Sequence, residues 1–215
     1  MPIPGPAGTS PLESGPSTTP RRVRLRARSF AAVAVGFGLL GFAVGGASTV
    51  ATAADRGCSH ATVAATRLPT GAIREAVRCL INEQRAAHGL PPLHQSGQLD
   101  HSAQGWTERM VASDDFSHGD LGARVHAAGL HYRVAGENIA TGLRTPDQVV
   151  SAWMGSAGHC RNILSPVYRD LGTGFSPQPV RGYASGPATW TEDFALPMGH
   201  RRPSGNWAPA DGCPY

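Results

Sequence analysis

A-G-E-N-I-A-T-G, residues 135–142, and T-P-D-Q-V-V-S-A-W-M-G-S-A-G-H-C-R-N-I-L, residues 145–164, decide how this chain is read. Few other stretches place so many uncommon choices so close together. Glu137 and His159 can titrate or bind a metal, and Gly136, Gly142, Gly155 and Gly158 punctuate the backbone around them. Thr145-Pro146-Asp147-Gln148 predicts a helix start, with Thr145 as the cap, Pro146 at the first helical position and Gln148 closing a capping box. Val149, Val150, Trp153 and Met154 then form the buried face of that helix, and residues 155–158 end it. Upstream, Phe116-Ser117-His118 supplies a second histidine in a turn-rich loop.

Working outward, Ile73, Val77, Leu80, Ile81 and Gln84 recur at helical spacing and predict a first helix from Gly71 to about His88. Thr70 is its expected cap, Gly89 its stop, and Pro91-Pro92 keep it from resuming. Asn82 and Arg85 are expected on its outer side and Cys79 on the flank of its apolar face. Leu99, Ala103, Trp106 and Met110 mark a second helix over about 97–111, with its stripe facing the core, while His94 and His101 read as surface residues. A short helix over about 121–128 ends at Gly129, and residues 130–134 extend into Gly136-Glu137-Asn138. Residues 170–175 and 188–196 predict two closing strands around a Pro/Gly-rich loop. Gly172 and Gly174 inside the first of them imply a close backbone approach. Helices interleaved with few strands point to the α+β class rather than to a parallel doubly wound sheet.

Nineteen basic residues, all Arg, give the whole chain a basic pI. Five of them precede Asp55, so fourteen remain beyond it, against fourteen of the fifteen acidic residues. The net basic field that attracts nucleic acid is therefore missing from the folded part, and no nucleic-acid partner is expected. Residues 1–54 read as a Pro/Ser/Thr-rich n-region, an Arg cluster and an apolar signal segment ending in Ala51-Thr52-Ala53. The alternative is an uncleaved anchor on the outer face of the cytoplasmic membrane. Residues 55–70 read as a linker, 71–197 as the domain and 198–215 as an irregular tail tethered by Cys213. Both export readings place the domain where disulfides persist. Spacing leaves all three pairings of Cys58, Cys79, Cys160 and Cys213 open. Domain ends often lie close together, which favours Cys58–Cys213 and leaves Cys79–Cys160.

L-I-N-x-x-R (Leu80, Ile81, Asn82, Arg85), F-S-H, G-E-N-I-A and W-M-x-S-x-x-H followed by N-I-L resemble, in this order and spacing, the CAP superfamily of cysteine-rich secretory, antigen 5 and pathogenesis-related 1 proteins. The likeness is to its bacterial secreted branch and covers roughly residues 71–197. It implies a three-layer α-β-α sandwich around a small, mainly antiparallel sheet. It also implies a cleft holding His118, His159 and Glu137, with a second acid where this chain has Ser156. Two imidazoles and a carboxylate can hold a divalent cation such as Zn²⁺ with open positions, can relay protons, or can form a structural hydrogen-bond network. No G-x-S-x-G, H-E-x-x-H or Walker sequence is present, and neither Ser156 nor Cys160 has a visible base and orienter. The resemblance favours binding of a lipid or other small apolar ligand, with Trp153, Met154 and Ile139 as candidate walls. A metal-dependent or His-assisted hydrolase and a structural or protein-interaction module stay open.

Overall fold

In a computed structural model of the chain, residues 57–201 and Cys213 are described. The signal segment, the first residues of the linker and most of the C-terminal tail lie outside them. Helix α1 (Thr70–Ala87) buries Ile73, Ala76, Val77 and Ile81. Thr70 is its first residue rather than its cap; Pro69 holds that position without a side-chain bond. Gly89, at φ 68°, ends the helix in a left-handed turn that a Cβ would strain. Arg85 is fully buried, not on the outer side. Its guanidinium donates to the carbonyls of Pro91, Ile163 and Ser165 at 2.7–2.9 Å, and Asn82 exchanges two bonds with the backbone of Leu93. These polar residues turn inward to satisfy backbone groups of the loop that follows α1 and the carbonyls of Ile163 and Ser165.

A two-residue strand β1 (His94–Gln95), not foreseen from the sequence, leads into α2 (Gly97–Ser113), which Ser96 caps through Leu99 N. Helix α3 (Leu121–Ala127) is capped by Asp120. Strand β2 (Tyr132–Thr141) contains Gly136-Glu137-Asn138 itself, so the motif lies within a strand and not beyond one. Helix α4 (Pro146–Met154) starts as foreseen, but without the capping box. Thr145 Oγ1 donates to Asp147, and Gln148 Oε1 accepts from Arg144 N instead. Helix α5 (Ala157–Ile163) and strands β3 (Asp170–Ser176) and β4 (Thr189–Pro197) complete the domain.

The sheet order is β1-β3-β4-β2, antiparallel except for β1 beside β3. Helices α1, α4 and α5 cover one face through Ile73, Val77, Ile81, Val149, Trp153 and Ile163, which pack on Leu171, Trp190 and Phe194. Helices α2 and α3 cover the other. The fold is thus α+β in three layers. Strand β4 is central, and all nine of its residues are buried. Gly172 and Gly174 let α2 lie directly on β3: a Cβ at Gly172 would be 2.2 Å from Asp100 N, and one at Gly174 would be 2.3 Å from Ala103 O.

The disulfides are Cys58–Cys79 and Cys160–Cys213, with Cα separations of 5.5 and 5.6 Å. The expected Cys58–Cys213 and Cys79–Cys160 pairs are therefore wrong. Cys58 is tied to α1 and Cys213 to α5, not to each other. Residues 57–69 pack as part of the domain instead of linking to it. Ala65 is fully buried and bonds to Arg144 O, and Ala61 O accepts from Asp147 N, which brings Cys58 onto α1.

Candidate functional site

Glu137 stands on the face of β2 that looks toward α2, directly opposite Asp193 of β4. Its side chain is 2% exposed. One carboxylate oxygen, Oε1, accepts from His118 Nδ1 at 2.8 Å, and the other, Oε2, from Arg124 Nη2. Asp193, fully buried, lies across from Glu137 on β4, and its Oδ2 accepts from Ser102 Oγ at 2.7 Å. Asp193 Oδ1 has no donor. Two buried carboxylates facing each other across a strand pair are comfortable only if one carries a proton. Burial is the main cause that raises both: Glu137 is pushed up to about 7 despite Arg124, and Asp193 well above the carboxylate range, with Glu137's charge adding to the push.

The loop that brings His118 here is built from α2 and α3. Trp106 Nε1 donates to Ser117 O at 2.9 Å, and Arg124 Nη1 donates to His118 O at 2.7 Å. Gly119, at φ 53°, lies against the Trp106 ring, where a Cβ would come within 2.3 Å of it. The Arg124 guanidinium sits 4.2 Å from the Trp106 ring centroid, a cation–π contact. With Nδ1 turned to Glu137, His118 presents Nε2 outward, and the side chain is 57% exposed. Its pKa is lowered by partial burial and then by the Arg124 charge.

His159 comes from α5, half-buried. Asn138 Nδ2 holds its carbonyl at 3.1 Å, and Asn162 Nδ2 bonds Glu137 O and Asn138 Oδ1 at 3.0 and 2.8 Å. The asparagines of G-E-N and N-I-L thus tie α5 to β2. Partial burial lowers the His159 pKa, and the nearness of His118 lowers it further, so the two imidazoles share one electrostatic neighbourhood. Ser156 is the N-terminal flanking residue of α5, partly buried, and makes no capping bond. Trp153 and Ile139 are buried in the core on opposite faces of the sheet.

The donor set does not fit the foreseen metal centre. Both Glu137 oxygens are already bonded, one of them to a cation. Among the described residues, the one group of three or more ligating atoms within 4.8 Å of one another is Cys58, Cys79 and Glu83, and its two sulfurs are bonded to each other.

Arg124, Asp193 and Ser102 are the members that the sequence reading missed. Arg124 and Ser102 also line a cavity of about 230 Å³ between α2 and α3, together with His101, Gly105, Trp106, Ala127 and Ala128. Among the described residues no helix is long and apolar enough to cross a membrane.

Comparison with known proteins agrees with this architecture. The sequence profile of the cysteine-rich secretory protein family, CAP, matches residues 79–194. The uncharacterized protein YkwD of Bacillus subtilis is 36% identical over 120 residues, 54% of this chain and 44% of its own length. The uncharacterized membrane protein YlbC of the same organism is 33% identical over 100 residues, 44% of this chain and 29% of its own. The chain therefore spans less than half the length of these relatives. The solved structure of an extracellular protein containing a SCP domain from Bacillus anthracis superposes with a TM-score of 0.51 at 26% identity, over 60% of this chain and 44% of that one. Motifs, three-layer fold and profile agree: the chain belongs to the CAP, or cysteine-rich secretory protein, family.

Proposed function

We propose that this is an exported binding module whose cleft takes a lipid or other small, uncharged, largely apolar ligand without turning it over. One observation carries the reading: the cavity between α2 and α3 shares Arg124 and Ser102 with the Glu137–Asp193 cluster. Its remaining walls are His101, Trp106, Gly105, Ala127 and Ala128, apolar or small apart from the histidine, and a few fixed polar groups among apolar walls are what a small-ligand site needs. One proton on the acid pair leaves a single negative charge, which Arg124 balances, and lowered pKa values keep both histidines neutral near pH 7. A neutral ligand suits that balance. Two disulfides and an extracellular structural relative support export.

The His118–Glu137 bond, a base with its orienter, is what favours a hydrolase instead. Native mass spectrometry of the protein from culture medium, with screening against peptide, ester and glycan substrates with and without Zn²⁺, separates the readings. The expected result is a small organic adduct that is lost in Ala128→Phe, which fills the cavity, and no turnover. Turnover lost in both His118→Ala and His159→Ala would replace binding with hydrolysis. Neither adduct nor turnover would leave a structural or interaction module.

A further inference from the structure

We propose that Arg124 is the resident cation of this cleft: its guanidinium holds the place on Glu137 that a divalent metal ion would take, so the cleft operates without one. The inference is independent of which ligand the cavity accepts. It rests on how fully Glu137 is used. His118 Nδ1 takes Oε1 at 2.8 Å and Arg124 Nη2 takes Oε2, with Asp193 across from it on β4. A metal would have to displace one of these donors.

Arg124 is itself hard to displace. Its Nη1 is bonded to the carbonyl of His118 at 2.7 Å, its plane lies on Trp106 at 4.2 Å, and its side chain is only 15% exposed. A guanidinium keeps its charge at any physiological pH, so a second cation on the same carboxylate would meet a fixed positive charge. The groups facing this point from the packed elements add no compensating excess of negative charge. Helix α2 contributes the neutral Ser102, and β4 contributes Asp193. The 116–120 loop contributes His118, and α5 contributes His159 behind it. Glu192 points to the opposite face of the sheet, bonded to Thr173. Ser156, where the family resemblance places a second acid, brings no carboxylate. Loss of that acid and presence of an internal cation are consistent with each other.

The test is a competition titration with a chromophoric Zn²⁺ indicator, Zn²⁺ alone being the probe, on the oxidised, folded protein. The parent and Arg124→Lys, which keeps a cation, should bind Zn²⁺ equally weakly. Arg124→Gln should gain at least about tenfold in affinity, and the gain should vanish in Arg124→Gln/Glu137→Gln. Folded Arg124→Gln without that gain would overturn the proposal. Should Arg124→Gln fail to fold, Glu137→Gln in the otherwise unchanged protein decides. Zn²⁺ affinity unchanged within about twofold supports an internal cation, and a loss of about tenfold or more makes Glu137 a metal ligand and overturns it.

Discussion

Gly174→Ala should lower the unfolding free energy by at least about 3 kcal/mol, or abolish cooperative folding altogether. The added Cβ would lie 2.3 Å from Ala103 O, 2.4 Å from its carbonyl carbon and 2.6 Å from Gln104 N. All three are backbone atoms of α2, so no side-chain rotation relieves the overlap. The helix must lift from the sheet, and Leu99, Ala103, Thr107 and Met110, all buried, lift with it. Gly172→Ala should behave alike, because its Cβ would meet Leu99 C and Asp100 N at 2.2 Å. Gly105→Ala is the control. It sits in the same helix with nothing within 4 Å, and it should stabilise the protein by up to about 1 kcal/mol. Thermal and urea unfolding of the three variants measure this. A near-neutral Gly174→Ala would mean that α2 does not lie on β3 as described.

Stability should fall as pH rises from 6.5 to 8, and Glu192→Gln should flatten the fall. Glu192 is fully buried; Oε2 accepts from Thr173 Oγ1 at 2.8 Å, and Oε1 has no donor. Burial raises its pKa well above the carboxylate range, and the charges of Asp100 and Asp193 add to that. An acid with a raised folded pKa holds its proton more tightly in the native state. Its contribution is complete below the unfolded value near 4 and is lost as pH climbs through the folded one. The loss is about 1.4 kcal/mol per pH unit between the two values for each such group. Glu137, pushed up to about 7, and Asp193 act in the same direction. His118 and His159, with lowered pKa values, act oppositely, but only as pH falls below about 6.5. Above that pH the buried acids therefore act alone. Urea unfolding at pH 5 and pH 8 should find Glu192→Gln close to the parent at the lower pH and clearly more stable at the higher one. A parallel loss in both proteins would mean that Glu192 is ionised or solvated in the fold.

The helices and the two closing strands were legible because they follow from periodicity, whereas their three-layer arrangement came from the family resemblance. The α1 face, most of the α2 stripe and the two glycines of β3 came from local pattern and do in the structure what that pattern implies, whereas Trp106 of the stripe is half-buried, holding the 116–120 loop and lining the cavity. The site was half legible. His118, Glu137 and His159 carry motif signals, whereas Arg124 sits in a one-to-two-turn helix outside any motif, where an arginine reads as solvated. Asp193 lies in T-W-T-E-D-F, where alternation suggests that an acid faces water. Only the β2–β4 register puts it across from Glu137, and register is a tertiary property. Arg85 was misplaced for a related reason: its partners are carbonyls up to 80 positions away. The disulfide pairing failed because closeness of chain ends is a tendency of domains, while here Cys58 joins Cys79 of α1 and Cys213 joins Cys160 of α5.

Glu137 is held to orient His118 as a neutral imidazole with Nδ1 protonated and Nε2 bare toward solvent. Nitrogen-15 NMR of the histidine rings between pH 6.5 and 8 reads this directly. The account predicts a protonated Nδ1 and an unprotonated Nε2 for His118, with that preference lost in Glu137→Ala. An Nε2–H tautomer, or an imidazolium persisting through this range, would contradict it.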